Sequence, residues 1–200
     1  MKKTLLATAL IMGTVAGFSE TSFQNMEELR RLKPNLTPVE FKTFMNDVNK
    51  LTRKYSSGLC AKFTTALLDN LHERNGRAFP QLDLREGRLV QGRDGCQTYP
   101  ITTSNNGIVY AKNYKNLFES KHDFVKIGKK EVLDLPENTI VIAVYQPKLN
   151  RRPGHIEVLF KKGKSLYAAS DKLDKPLFFY KNSTYRQVDF YYPIREDTQS

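Results

Sequence analysis

The chain has 200 residues, with 32 Lys and Arg against 21 Asp and Glu, and only two cysteines, for a formal net charge of +11. The length suits one domain with a real hydrophobic core, and a 40% hydrophobic content is too high for an intrinsically disordered chain. Two cysteines are too few for a disulfide scaffold or a four-thiolate zinc site, so the composition leaves a basic, globular protein.

Residues 1–19 read as a secretory signal peptide. Lys2 and Lys3 form a basic start, Leu5 to Phe18 carries no charge, and small residues follow at cleavage spacings. The apolar stretch is shorter than the ~20 residues that a membrane span requires, and no later segment could span either. The expectation is an exported protein, periplasmic or secreted, with a single domain over residues 20–200. Export also changes the reading of the cysteines. In an oxidising compartment Cys60 and Cys96 would by default form a disulfide.

Asn25 to Lys33 reads as a short helix that stops before Pro34. Thr37, Pro38 and Glu40 form a capping box with proline at the first helical position. Phe41, Phe44, Met45, Val48, Leu51 and Tyr55 then recur at helical spacing and predict one apolar face. Ser56-Ser57-Gly58 breaks that helix, and a second runs from Cys60 through Leu71 to end near Asn75-Gly76. Residues 77–107 have little periodicity and read as an irregular excursion. Tyr110 to Phe118 carries a weaker helical signal. Strands are predicted at Thr139–Tyr145, His155–Phe160 and Ser165–Ala169, the last two joined by Lys161-Lys162-Gly163-Lys164. Leu177–Tyr180 and Arg186–Ile194 supply one or two more. Helices first and then an antiparallel meander point to an α+β fold.

Within this frame Cys60 has a special position, at the N-terminus of a helix, where the dipole and free N–H groups favour a thiolate and an oxyanion. Position alone leaves two readings open, since Cys60 also begins the apolar stripe of its helix. Of three histidines, His72 lies about three turns along the same helix and His122 lies in a charged stretch. His155 opens a strand after Arg151-Arg152-Pro153-Gly154, where a side chain is both held and accessible. Asp171, at the end of the returning strand, is the candidate to orient its imidazole; Glu157, two residues from His155 on the same face, is the other.

With these residues in hand, the sequence resembles the NlpC/P60 superfamily of papain-like cysteine peptidases. The resemblance rests on Ser56-Ser57-Gly58-Leu59-Cys60-Ala61, on Gly154-His155-Ile156-Glu157-Val158 and on Ser170-Asp171. It spans about residues 50 to 195. It implies a papain-like fold, with N-terminal helices, one carrying the cysteine, packed on an antiparallel sheet carrying the histidine. It also implies a nucleophile at Cys60, a general base and then acid at His155, and an orienting group at Asp171. The implied substrate is an amide bond in peptidoglycan stem peptides or next to muramic acid. The sequence departs from the family pattern at Tyr167, where many members place a polar residue, and at Asn138, which replaces a turn glycine. Tyr55 and Ser57, beside the nucleophile, are candidates for substrate positioning or the oxyanion hole.

The leading expectation is thus an exported cysteine hydrolase acting on peptidoglycan, without metal or other cofactor. The alternative is a non-catalytic exported wall-binding module with a Cys60–Cys96 disulfide. The +11 charge fits attraction to an anionic cell envelope. No zinc knuckle, RNP motif or helix-turn-helix signal accompanies it, so a nucleic-acid partner is not expected. An inhibitor or regulator protein, if one exists, is not identifiable from the sequence.

Overall fold

The computed structural model describes residues 34–56, 58–74, 90–91, 97–98, 111–120, 124–149, 152–180 and 184–194. The expected signal peptide, the Asn25–Lys33 helix, Ser57 and Cys96 lie outside the described residues.

The first helix, α1 (Pro38–Leu51), begins as its capping box dictates. The Thr37 side chain accepts from the Glu40 N–H at 3.3 Å, and the Glu40 carboxylate accepts from the Thr37 N–H at 2.6 Å. Phe44 and Val48 are buried. The helix stops one turn before Tyr55. Thr52 takes an extended conformation and bonds back to the Val48 carbonyl through both its N–H and its hydroxyl. Tyr55 therefore leaves the apolar face and is 74% exposed. The second helix, α2 (Cys60–Arg74), buries Phe63, Thr64, Leu67, Leu68, Leu71 and His72. Val90–Gln91 (β1) and Gln97–Thr98 (β2) form a small antiparallel pair inside the segment expected to be irregular.

A short 3-10 helix at Ala111–Asn113 runs into α3 (Tyr114–Ser120). Then come β3 (Phe124–Ile127) and α4 (Lys129–Leu133), neither of which was legible in the sequence. The remaining strands are β4 (Ile140–Pro147), β5 (His155–Lys162), β6 (Ser165–Ala169), β7 (Leu173–Asp174) and β8 (Tyr185–Pro193). Leu177–Phe179 is a 3-10 turn rather than the expected strand.

Six strands make one antiparallel sheet in the order β3-β8-β4-β5-β6-β7. The expected meander holds from β4 to β7, and then β8 returns to the other side of β4. Every residue of β4 is buried, and a strand of that kind needs a neighbour on each edge. The protein is thus a mixed α/β structure built on an antiparallel six-stranded sheet with a few helices.

The sheet has two faces with different neighbours. Ile140, Ile142, Val144, Ile156, Val158, Phe160 and Ala169 share one core with Phe44 and Val48 of α1 and Leu67, Leu68 and Leu71 of α2. Phe44 meets Phe160 edge to face at 5.5 Å, a contact worth about 0.5–1.5 kcal/mol beyond its burial. Residues of opposite parity face away from these helices. There Phe190 packs edge-on to Phe178, in the 3-10 turn, at 5.3 Å. Asn35 fastens the chain before α1 to β4, accepting from the Ile140 N–H at 2.9 Å and donating to the Ile140 carbonyl at 3.0 Å. Asn138 stands at φ +61, a left-handed conformation that asparagine adopts more readily than most side chains. This turn is therefore made without a glycine.

Candidate active site

The first turns of α2 lie over the start of β5. Thr64, one turn into the helix, reaches the Ile156 carbonyl at 3.4 Å. This docking places Cys60, the first residue of α2, near enough to His155, the first residue of β5, to influence its ring electrostatically. Cys60 is a free cysteine and partly buried. Gly154 sets the entry to β5. It has φ +77, and a Cβ there would lie 2.6 Å from the Tyr145 carbonyl oxygen and 3.0 Å from the Lys112 nitrogen. The neighbouring Pro153 carbonyl accepts from the Lys112 N–H at 2.9 Å, and Gln146 donates to the Lys112 carbonyl at 3.0 Å. The strand that presents the histidine is thus fastened at its first residues.

The His155 ring feels the Cys60 thiol and the Glu157 carboxylate electrostatically. Its Nε2 lies 3.3 Å from Glu157 Oε2. The imidazole keeps 20% of its side-chain surface exposed while the carboxylate keeps 5%, so the ring can be reached from solvent and its partner cannot. Glu157 Oε1 accepts from the Tyr145 hydroxyl and, at 3.0 Å, from the Leu177 N–H. The Tyr145 oxygen in turn accepts from the Phe178 N–H at 3.2 Å. Tyr145 also flanks the imidazole, with ring centroids 5.5 Å apart, and Tyr185 flanks both rings.

These contacts set the charge of the ring. Burial works against the imidazolium, but the hydrogen bonds and negative charges of Cys60 and Glu157 outweigh it and raise the His155 pKa to about 10. Burial, reinforced by the charge and hydrogen bond of Glu157, pushes the Tyr145 hydroxyl far above the ordinary tyrosine range and keeps it a donor. Tyr185 moves in the same direction, through burial first and then the negative charge of Cys60.

Asp171 stands elsewhere. It is 1% exposed, and its Oδ2 accepts from the Ser56 hydroxyl at 2.7 Å and the Leu59 N–H at 3.2 Å. Its Oδ1 accepts from the Ser170 hydroxyl at 3.2 Å, and its carbonyl accepts from the Arg53 N–H at 3.0 Å. The carboxylate on the histidine is Glu157, and the Asp171 carboxylate holds the turn that leads into Cys60. The reason is register. Val158 pairs with Ala169 and Phe160 with Tyr167, so the Tyr167, Ala169, Asp171 series continues the helix-facing side of β5. His155 and Glu157 have the opposite parity. A one-residue difference in register exchanges the faces, and the sequence does not say where the Gly163 turn places it.

Of the other expected residues, Tyr55 lies exposed near the turn, with the Lys54 ammonium 5.4 Å from its ring centroid. Ser57 and Cys96 fall outside the described residues. Three contributors were missed in the sequence: Ser56, Tyr145 and Tyr185. Tyr145 lies directly opposite His155 in the β4–β5 ladder, a placement visible only once the strands are paired. Among the described residues no group of three or more His, Cys, Asp or Glu is placed to hold a metal ion, and no helix is long and apolar enough to cross a membrane. No family model matches the chain, and no curated protein or solved structure matches it.

Proposed function

We propose that the protein is an exported cysteine hydrolase of papain-like, NlpC/P60 type that cleaves amide bonds in peptidoglycan stem peptides. The observation that carries the reading is the Cys60–His155–Glu157 chain of contacts at the junction of a helix N-terminus and a strand start. A thiol beside an imidazole that is itself backed by a carboxylate is the arrangement nucleophilic acyl transfer requires. The raised His155 pKa keeps the ring an imidazolium at neutral pH, the acid that a leaving nitrogen needs.

With Nε2 turned to Glu157, Nδ1 is the nitrogen left for Cys60. The Cys60 thiolate attacks the amide carbon, and the developing oxyanion is stabilised at the N-terminus of α2. The His155 proton passes to the leaving nitrogen as the carbon–nitrogen bond breaks, leaving a thioester. His155 then takes a proton from water, hydroxide adds to the thioester carbon, and the carbon–sulfur bond breaks to release a carboxylate and regenerate the thiolate. Glu157 holds the ring and favours its charged form, and Tyr145 fixes Glu157. The Leu59 N–H is not available to the oxyanion, because Asp171 already accepts from it.

The peptidoglycan substrate is supported by the resemblance around Cys60 and His155, by the leader-like residues 1–19 and by a net charge of +11 suited to an anionic envelope. Purified mature protein is expected to release new amines from peptidoglycan sacculi, and Cys60→Ala to reduce that release to background. Equal inertness of wild type and variant on sacculi and on purified muropeptides would refute the reading. A free-thiol count on protein made in an oxidising compartment completes the test, since a quantitative Cys60–Cys96 disulfide would leave no nucleophile.

A further inference from the structure

Between the end of α1 and the first turns of α2, the helix that starts at the proposed nucleophile, lies an open pocket of about 320 Å³, lined by Lys50, Leu51, Arg53, Lys62, Phe63 and Ala66. Leu51, Phe63 and Ala66 give it an apolar floor. Its three remaining lining groups are all cations. Arg53 is held over the Phe63 ring, with its guanidinium carbon 5.6 Å from the ring centroid, which orders a charge that would otherwise be free to roam. The backbone of Arg53 is fixed as well, through its N–H to the Asp171 carbonyl at 3.0 Å and a parallel bridge to Lys172. The same Asp171 fixes the turn into Cys60, so pocket and thiol share one anchor.

We propose that this pocket binds a carboxylate of the substrate, carried on an apolar stem. The inference rests on the hydrolase reading for its link to Cys60. Phe63 lies three residues along α2 from Cys60, a rise of about 4.5 Å and an offset of about 60° round the helix. An extended peptide advances about 3.3–3.6 Å per residue, so a stem peptide of a few residues can run from the thiol to this flank of α2. Three cations facing one cavity repel one another when it is empty and are relieved by an anion. The apolar floor selects an anion with hydrocarbon next to it over a bare inorganic ion. A neutral amide at the same position would gain the floor and lose the charge.

The test uses mature Cys60→Ala protein, which binds without cutting, and two probes: a stem tetrapeptide with free carboxylates and the same peptide with every carboxylate amidated. Calorimetric titration is expected to show the acid binding about tenfold or more tighter than the amide, as charge-assisted contacts allow. Adding Lys62→Gln should remove most of that preference, while Arg53→Lys, which keeps the charge, should preserve much of it. Circular dichroism of each variant establishes that it is folded. Equal binding of acid and amide, or a preference untouched by Lys62→Gln, overturns the pocket. Inorganic sulfate competing as well as the acid peptide also overturns it, since the stem would then contribute nothing. The two readings fail separately. Active wild-type enzyme with no acid preference sinks the pocket alone, and a clear preference in a protein inert on sacculi sinks the hydrolase alone.

Discussion

Two buried carboxylates frame the Cys60–His155 contact, and they do different work because they stand on opposite faces of one sheet. Glu157 lies beside the histidine, facing Tyr145 and the Leu177–Phe179 turn, and acts on the charge of the ring. Asp171 lies on the helix-facing side and receives a hydroxyl and an N–H from the chain just before the cysteine. The first region tunes a proton, and the second fixes a position. A carboxylate near a thiol is therefore not defined by proximity alone: strand parity decides which partner it meets.

The sharpest way to break this comparison is Glu157→Gln. The amide keeps the shape but removes the charge that favours the imidazolium, so hydrolysis should fall about 10²- to 10³-fold. In an NMR titration the His155 resonance should move to lower pH. The sign of the stability effect follows from the same group. His155 rises from its ordinary 6.5 to about 10 in the folded protein, so its contribution to stability is complete below about pH 6.5 and is lost as pH climbs through about 10. Denaturation curves should therefore show wild type losing more stability than Glu157→Gln between neutral and alkaline pH. An unchanged His155 titration would mean that Glu157 does not govern the ring.

Asp171→Ala addresses the second region. It strips the acceptor from Ser56, Leu59 and Ser170 together, and unpaired buried groups cost about 1–3 kcal/mol each. Partial exposure of the Ser56 turn keeps the expected loss nearer 2–3 kcal/mol, measured by chemical denaturation. The His155 titration should move less than in Glu157→Gln. If the two variants instead shift the ring equally, the division of labour between the carboxylates collapses.

The legible parts of the fold were those written in local chemistry. The capping box at Thr37 and Glu40, the onset of α2 at Cys60 and the opening of β5 at His155 all depend on residues close in the chain. So did Glu157, which reaches the ring from two positions away on the same strand. What escaped depends on long-range register. β4 reads as one apolar run, because it is buried on both faces, so Tyr145 carried no alternation to mark it as facing His155. β3, only four residues long, carried too short a pattern to be seen. Asp171 was placed at the correct strand end, but which face of β5 it would share was decided by the pairing of Val158 with Ala169.

The mildest probe tests whether the region around the histidine is a connected network or a single pair. Tyr145→Phe removes one oxygen, leaving Glu157 without the hydroxyl and the Phe178 N–H without its acceptor. Glu157 retains His155 and the Leu177 N–H, so folding should suffer by only about 1 kcal/mol. Hydrolysis should fall a few-fold, far less than in Glu157→Gln, because the charge beside the imidazole survives. The informative readout is hydrogen exchange at Leu177 and Phe178. Faster exchange at both would show that Tyr145 couples the 3-10 turn to the carboxylate. Exchange altered at Phe178 alone would reduce Glu157 to two separable contacts, one to the ring and one to the turn.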